Sequence, residues 1–156
     1  MAKRSIELQP LSRQHHNGLF FCLLLEKGFK KNADRLLMKD FCMFFWETDL
    51  QHHFELEEKH LQPLMMKHSE LIEGITRMIL EHAQIKELFS KNAAAADDDV
   101  FTALYQLVEK HIRFEERELF PFIETLLTPD EFKVIGQALE GESDHNCSAY
   151  PIKFWE

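Results

Sequence analysis

The sequence predicts an all-α protein, an antiparallel up-down-up-down four-helix bundle with a short fifth helix near the C-terminus. Three observations carry that expectation. Apolar residues recur at helical spacing along four long stretches. Gly and Pro number only five each, and no Asn-Gly or Gly-Gly hairpin signal separates alternating apolar runs. One pattern also occurs twice, fifty-eight residues apart: His53-Phe-Glu-Leu-Glu57-Glu58-Lys-His-Leu61-Gln-Pro63 and His111-Ile-Arg-Phe-Glu115-Glu116-Arg-Glu-Leu119-Phe-Pro121 both read H-x-x-x-E-E-x-x-L-x-P. The repeat predicts two related helical hairpins, each ending in the same Leu-x-Pro stop.

The elements follow in order. Residues 1–10 read as an arm ending at Pro10, and a first helix spans about 11–31. Asn32 is a usable N-cap for a second helix that continues to about Leu61 and stops near Pro63, because proline disfavours the helical region for its predecessor. Ser69 caps a third helix running to about Lys91. The run Ala-Ala-Ala-Ala-Asp-Asp-Asp at 93–99 places aspartates at the positive end of a fourth helix, which carries on to about Glu124. Thr128-Pro129-Asp130-Glu131 then supplies a cap, a first-turn proline and an acid three residues on, and the fifth helix ends around Gly141. The whole is expected to be one domain, 1–156: bundle at about 11–125, short helix at about 129–141, and an irregular tail at 142–156 whose Phe154 and Trp155 dock on the body.

Composition narrows the function. The chain is 45% hydrophobic with 14 Phe, which argues against disorder. Its formal net charge of -9 repels phosphate backbones, so nucleic acid is not an expected partner. Cys22, Cys42 and Cys147 are an odd, widely spaced set that matches no zinc or redox motif, with Cys22 and Cys42 in apolar stretches. The N-terminus lacks the apolar core of a signal peptide, and the run Leu19–Leu25 is far too short to span a bilayer. A cytoplasmic protein without a membrane partner is expected.

Helical phase sorts the histidines. His15 sits at the edge of the cluster Leu11, Gly18, Cys22, Leu25 and Phe29, whereas His16 falls among Arg13, Glu26, Lys27, Lys30 and Lys31. His53 has the four-residue spacing to Glu57 that puts both on one helix face, and His52 does not. His82 lies within the stripe Leu71, Ile75, Met78, Ile79, Ile85 and Phe89. His111 and Glu115 are bracketed by Leu104, Leu107, Val108, Phe114 and Phe122. His60 reads as surface or as an outer neighbour of Glu57, and His68 and His145 read as solvated. Tyr105 reads as a core residue or a redox-active neighbour of His111.

The inward set is therefore His15, His53, Glu57, His82, His111 and Glu115. Four imidazoles and two carboxylates exceed one tetrahedral zinc and contain too much nitrogen for calcium or magnesium. Two mid-first-row ions with Glu57 and Glu115 bridging fit the count: two iron ions first, with manganese or zinc as substitutes. Such ions leave positions open to dioxygen, nitric oxide or peroxide.

The order His, His-x-x-x-Glu, His, His-x-x-x-Glu over four helices resembles the hemerythrin-like, or HHE cation-binding, family. Leu-Ser-Arg-Gln-His15, His53-Phe-x-x-Glu57-Glu58, Glu81-His82 and His111-Ile-Arg-Phe-Glu115-Glu116 carry the resemblance, which covers roughly residues 10–125. It implies an antiparallel bundle around a non-haem di-iron centre. Oxygen-carrying members use a fifth histidine where this chain has Met78, and an aspartate where it has Glu115. The F-box iron-sensing relative has a Glu where this chain has Phe54. The four-His, two-Glu set is closer to bacterial proteins of nitrosative-stress response, whose N-terminal cysteine features are missing here. The expected function is binding or sensing a small diatomic or peroxide ligand, or iron itself. A di-iron oxidase or peroxidase, or an iron-centre repair factor, is the alternative.

Overall fold

A computed structural model describes residues 3–142 and 147–156, so His145 lies outside the described residues. Helices α1 (Gln9–Lys30), α2 (Arg35–Phe45), α3 (Gln51–Leu61), α4 (Ile72–Ala94), α5 (Asp98–Phe114), α6 (Phe120–Leu126) and α7 (Pro129–Leu139) make up the fold, with no strand among the described residues. A π-helical turn at Trp46–Leu50 joins α2 to α3, and another at Glu115–Leu119 joins α5 to α6. Seven helices thus make four long rods and one short one, the expected four-helix bundle with a fifth helix.

The helix ends show where local chemistry decides. Pro10 lies in the first turn of α1 rather than ending an arm, since the missing N–H costs nothing there. Asn32 is not the cap of the second rod. It takes a left-handed φ of 57° just past α1, a conformation asparagine tolerates, and Asp34 does the capping by accepting from Leu36 N at 2.8 Å and Leu37 N at 3.3 Å. Pro63 sits in a 3₁₀ turn, Gln62–Met66, that closes the second rod. Ser69 opens another, Ser69–Leu71, before α4. Asp97 caps α5, and Thr128 with Glu131 forms a reciprocal capping box on α7.

Pro121 does not stop the fourth rod. The wider π-turn directly before it accommodates a residue with no N–H and a bulky ring, and the helix runs on to Leu126. The same turn inserts a residue into the phase. Phe122, expected inside, is therefore 44% exposed, while Leu119, Phe120 and Ile123 are buried.

The core has two parts. One contains Phe21, Phe41, Phe45, Phe89, Phe101 and Leu104, and the other Leu11, Leu61, Leu71, Ile75, Phe120 and Ile123. On each rod the inward polar residues fall where one cluster gives way to the other: His15 between Leu11 and Phe21, His82 between Met78 and Ile85, His111 between Val108 and Phe114. Gly18 permits the close approach of α1 and α5 at this level, since a Cβ there would lie 2.6 Å from Ile112 Cδ1. Tyr105 packs, partly buried, against the phenylalanine-rich cluster. At the C-terminus, the rings of Phe154 and Trp155 lie 5.1 and 5.6 Å from that of Phe41. Cys22, Cys42 and Cys147 are free and buried, and burial pushes all three thiols up. No described helix is long and apolar enough to cross a membrane.

Candidate metal centre

Four rods each deliver an imidazole to the junction of the two cores. His15 comes from α1, His53 and Glu57 from α3, His82 from α4, and His111 with Glu115 from the seam between α5 and its π-turn. All six are buried, and neither Glu57 nor Glu115 retains any exposed area. They form two overlapping groups, His15/His53/Glu57/Glu115 and Glu57/His82/His111/Glu115, in each of which one potential ligand atom per residue lies within 4.8 Å of the others. Both carboxylates belong to both groups. Glu57 turns Oε2 toward His15 Nε2 (3.6 Å) and His53 Nε2 (3.3 Å), and Oε1 toward His82 Nε2 (3.1 Å). Glu115 Oε1 lies 3.3 Å from His15 Nε2 and 2.8 Å from His111 Nε2.

Burying two carboxylates costs roughly several kcal/mol each unless they are compensated. Hydrogen bonds supply little of that compensation. Among the described residues, eight buried side-chain polar atoms lack a hydrogen-bond partner, and six of them belong here: Nε2 of His15, His53 and His111, Oε2 of Glu57, and both oxygens of Glu115. The short His111–Glu115 separation is thus a close approach of two atoms side by side, without donor-to-acceptor alignment.

The other ring nitrogens are all engaged. His15 Nδ1 lies 2.9 Å from Glu116 Oε2, His53 Nδ1 2.7 Å from Gln14 Oε1, His82 Nδ1 3.0 Å from Glu58 Oε2, and His111 Nδ1 2.8 Å from Glu81 Oε1. Each partner atom is an acceptor, so each Nδ1 carries the proton. In a neutral ring that leaves Nε2 with its lone pair directed into the cluster, the tautomer a metal requires. The donor set therefore fits cations: four imidazole nitrogens oriented from outside and two shared carboxylates, with one inward hydrogen-bond contact, His82 Nε2 to Glu57 Oε1 at 3.1 Å, and six inward atoms without a partner.

Without a cation, protons take its place. Burial opposes charge on His15, but Glu115, Glu116 and Glu57 outweigh it and hold the imidazole pKa well above its ordinary value. His82 is likewise raised, against burial, by Glu57 and Glu58. His111 is raised to about 9, with Glu115 and Glu81 overcoming burial. Burial would raise Glu57, yet His53, His15 and His82 keep it well below the usual carboxylate range.

The sequence reading missed the outer ring. Glu58 and Glu116 were visible as the second Glu of each repeat, and Gln14 and Glu81 each directly precede an inward histidine. Of the other histidines, His16 and His52 are exposed, His52 lying 2.9 Å from Glu142, and His60 is partly exposed. His68 is not solvated as expected. The turn before α4 brings it against the start of α7, where its Nε2 lies 2.8 and 3.0 Å from the two oxygens of Glu131. Met78, in the place of a fifth histidine, is fully buried. A cavity of about 160 Å³ is lined by Gln14, His15, Gly18, Leu50, His53 and Ile112, among others.

Neither the curated proteins nor the solved structures provide a match to the chain. The family model described as the hemerythrin HHE cation binding domain matches residues 11–123. That span holds all six converging residues, and so the chain belongs to the hemerythrin HHE cation-binding domain family.

Proposed function

We propose that the chain is a non-haem di-iron protein. His15 and His53 hold one ion, His82 and His111 the other, and Glu57 and Glu115 bridge them. The centre serves to bind or sense a small ligand such as dioxygen, nitric oxide or peroxide, or iron itself. The observation that carries this reading is a cluster of six buried polar atoms without hydrogen-bond partners, in which hydrogen bonds on the far sides of His15, His53 and His111 turn their Nε2 atoms toward the oxygens of Glu57 and Glu115. Imidazole-rich donor sets with bridging carboxylates suit iron or manganese better than calcium or magnesium.

Bound iron supplies open coordination positions and exchangeable electrons. The chain's own residues orient the imidazoles, exclude bulk water, and hold Nδ1 protons on carboxylate and amide acceptors. The cavity beside His15 and His53, about 160 Å³, gives a small ligand room next to one of the two histidine pairs. Three buried free thiols suit a reducing compartment such as the cytoplasm, and the net charge of -9 suits a small ligand rather than nucleic acid.

Elemental analysis and Mössbauer spectra of anaerobically purified protein test the proposal. Two irons per chain in a coupled pair are expected, and their loss in Glu57→Ala. A chain that takes up no iron, or whose iron is indifferent to that substitution, overturns it. Mixing the reduced protein with dioxygen or peroxide then separates a reversible adduct from multiple turnover with a reductant.

A further inference from the structure

The outer hydrogen bonds divide the six-residue cluster into unlike halves. At His82 and His111, both Nδ1 groups face carboxylates, Glu58 at 3.0 Å and Glu81 at 2.8 Å. At His15 and His53, one faces a carboxylate, Glu116 at 2.9 Å, and the other an amide oxygen, Gln14 Oε1 at 2.7 Å. Gln14 and Glu81 hold equivalent places. Each directly precedes the lone histidine of its hairpin and reaches to the histidine of the repeat in that same hairpin. The difference between them is one negative charge.

That charge is fixed in position. Arg77 Nε donates to Glu81 Oε2 at 3.1 Å, and the Arg77 guanidinium rests 3.8 Å from the centre of the Phe114 ring. A carboxylate accepting the Nδ1 proton raises the basicity of the far nitrogen, whereas a neutral amide orients the ring without doing so. His111 is therefore the stronger donor of the repeated pair, and His53 the weaker.

We infer that Glu81 and Gln14 make the two cation positions unequal: the His82/His111 position is the tight one, and the His15/His53 position is the weaker, exchangeable one. This rests on the dinuclear reading of the site. It assigns to Gln14 and Glu81 a positioning role exerted through the imidazoles rather than by direct coordination.

Titration of metal-free protein with Co²⁺, followed by calorimetry and visible absorption, tests it. His111→Ala should abolish the tighter step, and His53→Ala should leave it in place. Glu81→Gln should weaken the tighter step by roughly ten- to hundredfold while sparing the other. Gln14→Glu should strengthen the weaker step, a gain that mere structural damage cannot produce, and the double swap should reverse which histidine pair fills first. If His53→Ala and His111→Ala weaken the first equivalent alike, or Glu81→Gln lowers both steps equally, the inequivalence is wrong. If the unsubstituted protein takes up no Co²⁺ at all, the dinuclear reading itself fails.

Discussion

The two copies of H-x-x-x-E-E-x-x-L-x-P place identical side chains in unlike surroundings. In the first, the π-turn Trp46–Leu50 comes before His53, and the helix gives way at Pro63. In the second, the π-turn begins at Glu115 itself and the helix continues through Pro121. Glu57 presents one oxygen to each half of the cluster, whereas Glu115 brings the same oxygen near His15 and His111. The outer acids differ further. Glu116 accepts from Ser12 Oγ at 2.7 Å and lies 3.7 Å from Arg4 Nη2, while Glu58 is 39% exposed and pairs with His82. Helical spacing alone thus assembles the inner ring, and the neighbouring rods decide how firmly each member is held.

The largest expected effect erases the distinction between the copies. Glu57 and Glu115 each serve both halves, so Glu57→Ala or Glu115→Ala should cost the protein both ions, measured as metal per chain. Retention of a full complement by either variant would show that the copies do not share their carboxylates.

Acidity comes next. Cations must displace protons from His15, His82 and His111, so apparent metal affinity should keep rising with pH up to about 9 instead of levelling near the free imidazole value. Each proton displaced is worth about tenfold in affinity per pH unit. For metal-free protein the linkage has the opposite sign. Imidazoles raised in the fold contribute fully below their unfolded pKa, and that stability drains away as pH climbs through the folded value, about 9 for His111. Glu57, held low in the fold, contributes above the ordinary carboxylate value and loses that contribution as pH falls. Melting temperatures of metal-free protein should therefore drop from neutral pH toward pH 9 and beyond, and those of loaded protein should not.

A smaller effect sharpens the contrast between the outer acids. Glu116→Gln and Glu58→Gln should each weaken metal binding by roughly tenfold. Arg4→Ala, which removes contacts to Glu116, Glu124 and Ser12 but touches no acceptor of His53, His82 or His111, should weaken it less, with the loss confined to the His15 half. The smallest change lies outside both copies. Thr128→Ala breaks the α7 capping box and should lower stability by about 1 kcal/mol in chemical denaturation, with metal content unchanged.

Much of this was legible in the sequence because the inward residues obey simple periods. His82, His111 and Glu115 lie in phase with apolar stripes, His15 at the edge of one, and His53 and Glu57 at the four-residue spacing of the repeat, and all six converge. What escaped was whatever shifts phase or acts across rods. Phe122 was misplaced because a π-turn adds a residue that no regular period anticipates. Asn32 and Asp34 are both competent caps, and the choice between them depends on which one accepts a left-handed φ. Gln14, Glu58, Glu81 and Glu116 act on histidines of other helices, a relation that spacing within one helix does not express.

The two apolar clusters flanking the polar waist are built from hydrophobic side chains, none of them a candidate ligand. Their burial does not depend on anything lodged between them, unlike small zinc modules, in which chain and ion stand or fall together. Chelation should accordingly leave the far-ultraviolet helical signal intact. The bundle is a vessel whose walls stay upright when its cargo departs, ready to be refilled without folding anew.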